Sequence, residues 1–227
     1  MHKIILAGEN SLLIYFGSKI DDSLPQSIAN FAQIVKAQFT DQIIDLTPAY
    51  TSLLISYDLN VTNYLAFSAE LKKLLVDFKL TEKHQNTSLI HIPVYYGFEV
   101  GFDLERLLTE KNLTIKEFID IHSTKEYLVH GIGFSPAFAF LAQLDVRIQA
   151  PRLDSPRIKI PAGSVGIADS QTAVYPSDSS GGWNIIGRTV LDLSLNNPDN
   201  LNKFKVGDRV KFYPITRDEF VRNKGQL

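Results

Sequence analysis

The 227-residue chain is 44% hydrophobic and 21% charged, ordinary values for a globular protein with a real core, and long enough for one large domain or two smaller ones. Its net charge of −2 argues against general nucleic-acid binding, and the absence of cysteine excludes disulfides, thiol catalysis and cysteine-ligated metal sites. The opening apolar run is too short for a signal-peptide core, and no stretch reaches the roughly eighteen apolar residues of a spanning helix, so a soluble cytoplasmic protein is expected.

Of the 13 glycines and 10 prolines, only Gly8, Gly17, Pro25 and Pro48 fall before residue 91. Glycine and proline punctuate turns, so long regular elements are expected first and a turn-rich β body second. The polar run 81–87 reads as the linker, which gives domains 1–86 and 87–227.

In the first domain, 3–7 and 11–16 read as strands around a Gly8-Glu9-Asn10 turn. Ser23 with Gln26 has the spacing of a capping box, and Leu24, Ile28, Phe31, Ala32 and Val35 give the helix that follows one apolar face. Strands at 42–46 and 52–57 come next. A second helix over about 62–79 should bury Tyr64, Leu65, Leu71, Leu74, Leu75 and Phe78. The order ββαββα predicts an α+β sandwich, roughly ferredoxin-like, with both helices on one face of an antiparallel sheet.

The second domain opens on a β-branched strand at 89–95. Asp103 can cap a helix over 104–111, and Thr114 with Glu117 boxes another that ends near His122. Short strands are expected at 127–132, 157–160, 164–168, 172–174, 183–186, 190–193 and 209–213, before a terminal helix at 216–223. That many short strands at regular spacing predict a closed or nearly closed barrel.

The stretch 127–189 carries the candidate chemistry. Gly133-Phe134-Ser135-Pro136-Ala137 has the outline of a nucleophile elbow, but the residue after the serine is Pro136, which has no N–H for an oxyanion hole. Ser179-Ser180-Gly181-Gly182-Trp183 could form an anion nest, although a hairpin turn anchored by the tryptophan is the preferred reading. Arg147, Arg152, Arg157 and Lys159 cluster, with Pro151-Arg152 and Pro156-Arg157 repeating a rigid Pro-Arg pair and Arg188 further on. Arginine forks suit carboxylate or phosphate. Surface charge answered by Asp145 and Asp154 is the competing reading, and both stand. The five histidines show no metal-ligand spacing and read as structural, His122 as a partner of its helix dipole. Glu99 and Asp103 are a weak acid–base pair, with turn and cap roles preferred.

These motifs resemble those of the B subunits of the bacterial ATP-dependent 5-oxoprolinases. That family also holds a sporulation-kinase inhibitor and the allophanate hydrolase subunit 1 (carboxyltransferase) proteins. The resemblance runs from Gly8-Glu9-Asn10 through Pro48-Ala49-Tyr50 and Ile92-Pro93-Val94 to Gly133-Phe134-Ser135-Pro136. It continues through the two Pro-Arg pairs, Pro161-Ala162-Gly163-Ser164-Val165, Gln171-Thr172, Tyr175-Pro176, Gly181-Gly182-Trp183 and Ile186-Gly187-Arg188-Thr189. The chain differs from the family at Ala137 and Ala173, where glycine is usual. Each alanine narrows the space beside the site or requires ordinary backbone angles.

The resemblance implies an α+β N-terminal domain and a cyclophilin-like β-barrel of carboxyltransferase type. It implies one part of a multi-subunit enzyme that acts only with two sister subunits, the carboxyltransferase-type C subunit of 5-oxoprolinase together with its A subunit. The assembly would open the lactam 5-oxoproline to glutamate at the expense of ATP. ATP belongs to the whole complex, with no metal or biotin on this chain and no nucleic-acid or membrane partner. Arg152, Arg157 and Gln171 are then the candidate catalytic residues. Phe134, Ser135, Pro136, Gly163, Ser164, Thr172, Tyr175, Gly181, Gly182, Trp183 and Arg188 are the candidate substrate-binding residues. The alternatives are a regulatory protein that inhibits a sensor histidine kinase, and a component of another ATP-dependent amide or allophanate hydrolase.

Overall fold

The computed structural model describes residues 2–79 and 87–227, and the chain divides into two compact units, Met1–Asn86 and Thr87–Leu227. Residues 81–86 of the expected linker, with His84, lie outside the described residues.

The first unit runs β1 (Lys3–Gly8), β2 (Ser11–Tyr15), α1 (Leu24–Gln38), β3 (Ile43–Ala49), β4 (Ser52–Tyr57) and α2 (Tyr64–Asp77). Its four strands form one antiparallel sheet in the order β1-β2-β4-β3. Period-2 alternation in β2 and β4 puts Leu12 opposite Ile55 and Ile14 opposite Leu53 on the buried face. Ile28, Phe31 and Val35 of α1 and Phe67, Leu71 and Leu75 of α2 close over them. Both helices therefore share one face of the sheet. The likeness to a ferredoxin fold stops at this layering. That fold alternates as βαββαβ, whereas here each helix follows a complete strand pair.

Two local expectations are corrected. Ser23 does not cap α1 with its side chain; its hydroxyl donates to Asp21 Oδ1 at 2.6 Å, and Pro25 lies in the first turn of the helix. Leu65 is 78% exposed, because the helix turns Phe67 and Leu71 to the core, and Asn63 supplies the cap of α2.

The second unit contains β5 (Leu89–Val94), α3 (Leu104–Lys111), α4 (Ile115–Thr124), β6 (Glu126–Ile132), β7 (Ala139–Ala142) and β8 (Arg157–Ile160). It continues with β9 (Ser164–Ala168), β10 (Gln171–Val174), β11 (Ser179–Gly181), β12 (Asn184–Arg188), β13 (Arg209–Pro214) and α5 (Arg217–Arg222). Seven strands form a sheet in the order β12-β9-β10-β7-β6-β13-β5. Its two edge strands meet: the Tyr95 N–H donates to Arg188 O and the Arg188 N–H to Tyr95 O, each at 2.9 Å. This seam nearly closes the barrel and removes most of its open edge. Glycine is required beside it, because a Cβ on Gly187 would lie 2.7 Å from Tyr95 O.

Alternation sorts the strand residues into two populations. Val129, Leu141, Val165, Ile167, Val174 and Ile186 fill the barrel interior. Phe138, Ala168, Ala173, Tyr175, Trp183 and Ile185 pack in a separate cluster, on the outer face and against Ile160 of β8. The Thr114–Glu117 capping box of α4 forms as expected. β7 adds a strand beyond those expected; it is largely buried and lacks the polar alternation that marks a half-exposed strand. The expected strand at 190–193 does not form: the chain leaves β12 at the seam, and Leu193 reaches the core from a loop. No described helix is long and apolar enough to cross a membrane.

Candidate functional site

The outer face of the barrel is built on small residues. A Cβ on Gly166 would meet Trp183 Cβ at 3.2 Å and a Tyr175 ring carbon at 3.3 Å, so a side chain there would press on both residues where they lie on the sheet. Above it, Phe138 packs edge-on against Tyr175 (5.3 Å between centroids) and Trp183 (5.8 Å), and Phe134 packs edge-on against Phe138 and Tyr175. Phe134 is nonetheless 63% exposed, on the β6–β7 turn.

That turn holds two left-handed residues, Phe134 at φ +69° and Ala137 at φ +62°. Ala137 thus keeps the glycine-like backbone rather than the ordinary angles expected for alanine, at a cost of about 1 kcal/mol or more. Ala173 has regular strand geometry and is fully buried, so there the extra methyl does narrow the outer face. Residues 133–138 close on themselves through Gly133 N–H to Phe138 O and Phe138 N–H to Ser135 O. They form a strand-to-strand turn, which removes the strand-to-helix context of a nucleophile elbow. Ser135 Oγ is buried without a hydrogen-bond partner, and Pro136 is exposed.

The segment carrying both Pro-Arg pairs is pinned from several sides. Asp169 N–H donates to Ala150 O, Asn184 Nδ2 to Pro151 O, and Leu153 N–H to Gly182 O. Arg152 is exposed between these anchors. Arg157 begins β8, and its Nη2 donates to Asp103 Oδ1 at 2.8 Å. Its Nη1 is buried and has no hydrogen-bond partner. Such a donor costs about 1–3 kcal/mol while unmet.

Beside it, burial pushes the Tyr175 hydroxyl up to about 12, against a hydrogen bond from the Trp183 backbone and the charges of Arg152 and Arg157. Tyr175 therefore stays protonated at neutral pH and can donate. Gly181 leaves room for this hydroxyl: a Cβ there would lie 2.5 Å from it. Residues 179–181 pair with β8 as β11, so the serine–glycine run is a strand partner and a close approach.

The structure thus brings Arg152, Arg157, Tyr175, Phe134, Trp183, Gly181 and Gly182 into one neighbourhood. Gly163, Ser164 and Arg188 stand at the seam end of β9 and β12. Gly163 has φ +79°, donates its N–H to Tyr175 O, and has no room for a Cβ because Thr189 O would lie 2.7 Å from it. Ser164 pairs with Arg188 across the ladder, and Ser164 Oγ and Arg188 Nε are both buried without partners. Arg188 Nη1 donates to Gln226 O. Burial lowers the Arg188 pKa, and the charge of Asp178 opposes it. Gln171 starts β10 at its other end, on the same strand face as Ala173 and Tyr175.

Thr172 lies elsewhere, in the barrel interior. Its hydroxyl donates to Gly166 O at 3.0 Å and lies 3.0 Å from His122 Nε2. The donor assignment follows: Nε2 carries the proton, and Nδ1 accepts from Tyr96 OH at 2.7 Å. His122 is fully buried, and that burial lowers its pKa to about 3. It is neutral at physiological pH and does not complement the helix dipole as a cation.

The remaining charged candidates separate. Arg147 forks onto both oxygens of Asp145, a surface pair. Glu99 accepts from Tyr95 OH and Arg217 Nε, while Asp103 turns to Arg157, so the two carboxylates serve different partners. Asp103 does not cap α3 with its side chain. Its link to Arg157 spans 54 positions, and sequence reasoning missed it. Among the described residues no group of three or more histidine or carboxylate side chains is gathered as a metal site.

Comparison with known proteins places this geometry. The family model for the carboxyltransferase domain, subdomain C and D, matches residues 2–202. The 5-oxoprolinase B subunit from Bacillus subtilis is 37% identical over 96% of this chain and 95% of its own length. That of Escherichia coli O157:H7 is 42% identical over 55% of this chain and 57% of its own. Among solved structures, a conserved uncharacterised protein of Pyrococcus horikoshii is 38% identical, covers 96% of this chain and all of its own, and superposes with a TM-score of 0.56. TTHA0988 is 26% identical with a TM-score of 0.78; the match takes in 91% of this chain and only 40% of that longer one. The urea amidolyase of Kluyveromyces lactis shares the fold at 18% identity and a TM-score of 0.79, over 97% of this chain and 15% of that one. The chain belongs to the carboxyltransferase-domain family, subdomain C and D, alongside the 5-oxoprolinase B subunits.

Proposed function

We propose that this chain is the B subunit of a cytoplasmic ATP-dependent 5-oxoprolinase, converting 5-oxo-L-proline, ATP and water to L-glutamate, ADP and phosphate together with the A and C subunits. The observation that carries the reading is the 37% identity to the Bacillus subtilis 5-oxoprolinase B subunit over almost the full length of both chains. The second unit is then the cyclophilin-like carboxyltransferase-type domain, and its outer face is one wall of the substrate site. A lactam is a poor electrophile, and phosphorylation of its oxygen gives water an activated carbon to attack. This chain's part is to bind and orient, with ATP assigned to the assembled complex.

On this reading Arg157 and Arg152 hold the 5-oxoproline carboxylate, as guanidinium forks do. The Tyr175 hydroxyl donates to the same group, Gln171 hydrogen-bonds the ring amide, and Phe134 and Trp183 wall the ring. Ser164, fully buried at the far end of β9, makes no contact with the amide. Gly163, Gly181, Gly182, Ser135 and Pro136 shape the backbone around it, and Arg188 supplies positive charge at the seam end. Thr172 supports the barrel from inside. The test is glutamate release from 5-oxoproline by the reconstituted complex. Arg157→Ala is expected to abolish release and, by leaving the buried Asp103 carboxylate without its cation, to lower the unfolding midpoint. Arg157→Lys, which keeps that charge but loses the fork, is therefore measured beside it; full activity in either folded variant would remove Arg157 from the site.

A further inference from the structure

We propose that Asp103 is the positioning residue of this site: its carboxylate, locked to strand β12, aims the Arg157 guanidinium so that the accessible part of this side chain meets a carboxylate-bearing ligand. The inference rests on the reading that Arg157 binds the substrate carboxylate, and it names the residue that makes Arg157 competent to do so.

Asp103 is a buried carboxylate, so every bond it accepts matters. Oδ2 accepts from the Ile185 N–H at 2.7 Å and Oδ1 from Arg157 Nη2 at 2.8 Å. The Asp103 N–H also donates to Ile185 O at 2.9 Å, so backbone and side chain grip the same residue of β12 from both sides. The chain just before it lies flat against that strand, since a Cβ on Gly101 would be 2.7 Å from Ile186 O. Asp103 is therefore fixed relative to the sheet.

An aspartate directly before a helix would ordinarily cap it. Here that role is given up, and the carboxylate turns to a strand and an arginine far along the chain. Arg106 reaches the same oxygen only at 3.6 Å, because Glu110 and Asn184 hold its guanidinium. Arg157 is the close partner. The Phe102 ring lies 5.9 Å from the guanidinium carbon, so one side of the fork faces an aromatic ring while Asp103 takes one nitrogen. Nη1 is buried without an acceptor, and the side chain as a whole remains 28% exposed, which is the part a ligand can reach. A planar guanidinium with one nitrogen fixed by a rigid carboxylate presents its accessible edge in a single direction.

The test is Asp103→Asn, read in two ways. The amide oxygen can still accept from Ile185, but the amide nitrogen cannot accept from Arg157. In the isolated chain, the Arg157 side-chain Nε–H resonance is expected to shift and broaden, while that of Arg147, held by Asp145, stays put as the internal control. In the reconstituted complex, KM for 5-oxoproline is expected to rise about tenfold with KM for ATP unchanged, and Asp103→Glu to recover part of that loss. An unchanged Arg157 resonance would overturn the inference whatever the substrate. So would a changed resonance in an active complex whose KM for 5-oxoproline does not move. A wild-type complex with no 5-oxoproline turnover would instead refute the proposed function, and the resonance alone would then decide whether Asp103 orients Arg157.

Discussion

Lowering the pH from 8 to 5 should weaken the second unit through His122 in particular. The ring is fully buried, with Nε2–H donating to Thr172 and Nδ1 accepting from Tyr96, so the neutral form satisfies every polar atom. Protonation would place a second N–H against the Tyr96 hydroxyl and a charge in the core, and burial holds the pKa down at about 3. The folded value lies below the ordinary unfolded value, so between these two values the unfolded chain binds the extra proton. Stability present above about pH 6.5 is therefore lost as pH falls through that value, and the loss is complete only near pH 3. At pH 5 the free imidazole is about 1.5 units below its own pKa, which makes the loss about 2 kcal/mol relative to pH 8. Asp145, held down to about 2 by Arg147, loses its contribution only below this window. The assay is urea unfolding at both pH values for wild type and His122→Gln, whose amide offers an N–H to Thr172 and a carbonyl oxygen to Tyr96 and does not titrate. Wild type should lose about 2 kcal/mol more than the variant on going to pH 5. An equal loss in both proteins, or an imidazolium signal from folded protein at pH 5, would refute the buried neutral assignment.

Other substitutions test the fold's close approaches. Gly187→Ala sets a methyl against Tyr95 O at the barrel seam and should cost about 1–3 kcal/mol by urea unfolding; no loss would contradict the closure. Ala137→Gly should fall within about 0.5 kcal/mol of neutral, since relief of the left-handed alanine offsets the glycine's gain in unfolded entropy. Gly163→Ala, also left-handed and facing Thr189 O, should destabilise by more than about 1 kcal/mol in the same assay. Thr114→Ala should cost about 1 kcal/mol and Ser23→Ala much less, because only the threonine caps its helix; equal losses would contradict that difference.

What was legible in the sequence was local. The Thr114–Glu117 box, the paired apolar faces of β2 and β4, and the run of short strands all rest on contacts a few positions apart or on simple periodicity. The family motifs also marked the arginine, tyrosine and glycine residues that converge outside the barrel. Pairings over long separations were not legible. Asp103 sits where a cap belongs, and only the fold reveals Arg157 beside it. His122 stands at a helix end, and Thr172, which fixes its tautomer, is 50 positions away. Thr172 follows Gln171 directly, yet strand alternation sends the two to opposite faces, one inside the barrel and one outside. The interior and exterior apolar clusters could not be told apart either, since both draw on the same strands.

If this chain is a necessary part of a 5-oxoproline-opening, ATP-hydrolysing assembly, ADP release must depend on it. The decisive assay measures ADP with 5-oxoproline present and absent, in a mixture of this chain with its A and C subunits and in mixtures lacking each one. Release that requires 5-oxoproline is expected from the full mixture, and none when this chain is left out. Equal release without this chain, or none from a folded and associated full mixture, would rule the assignment out.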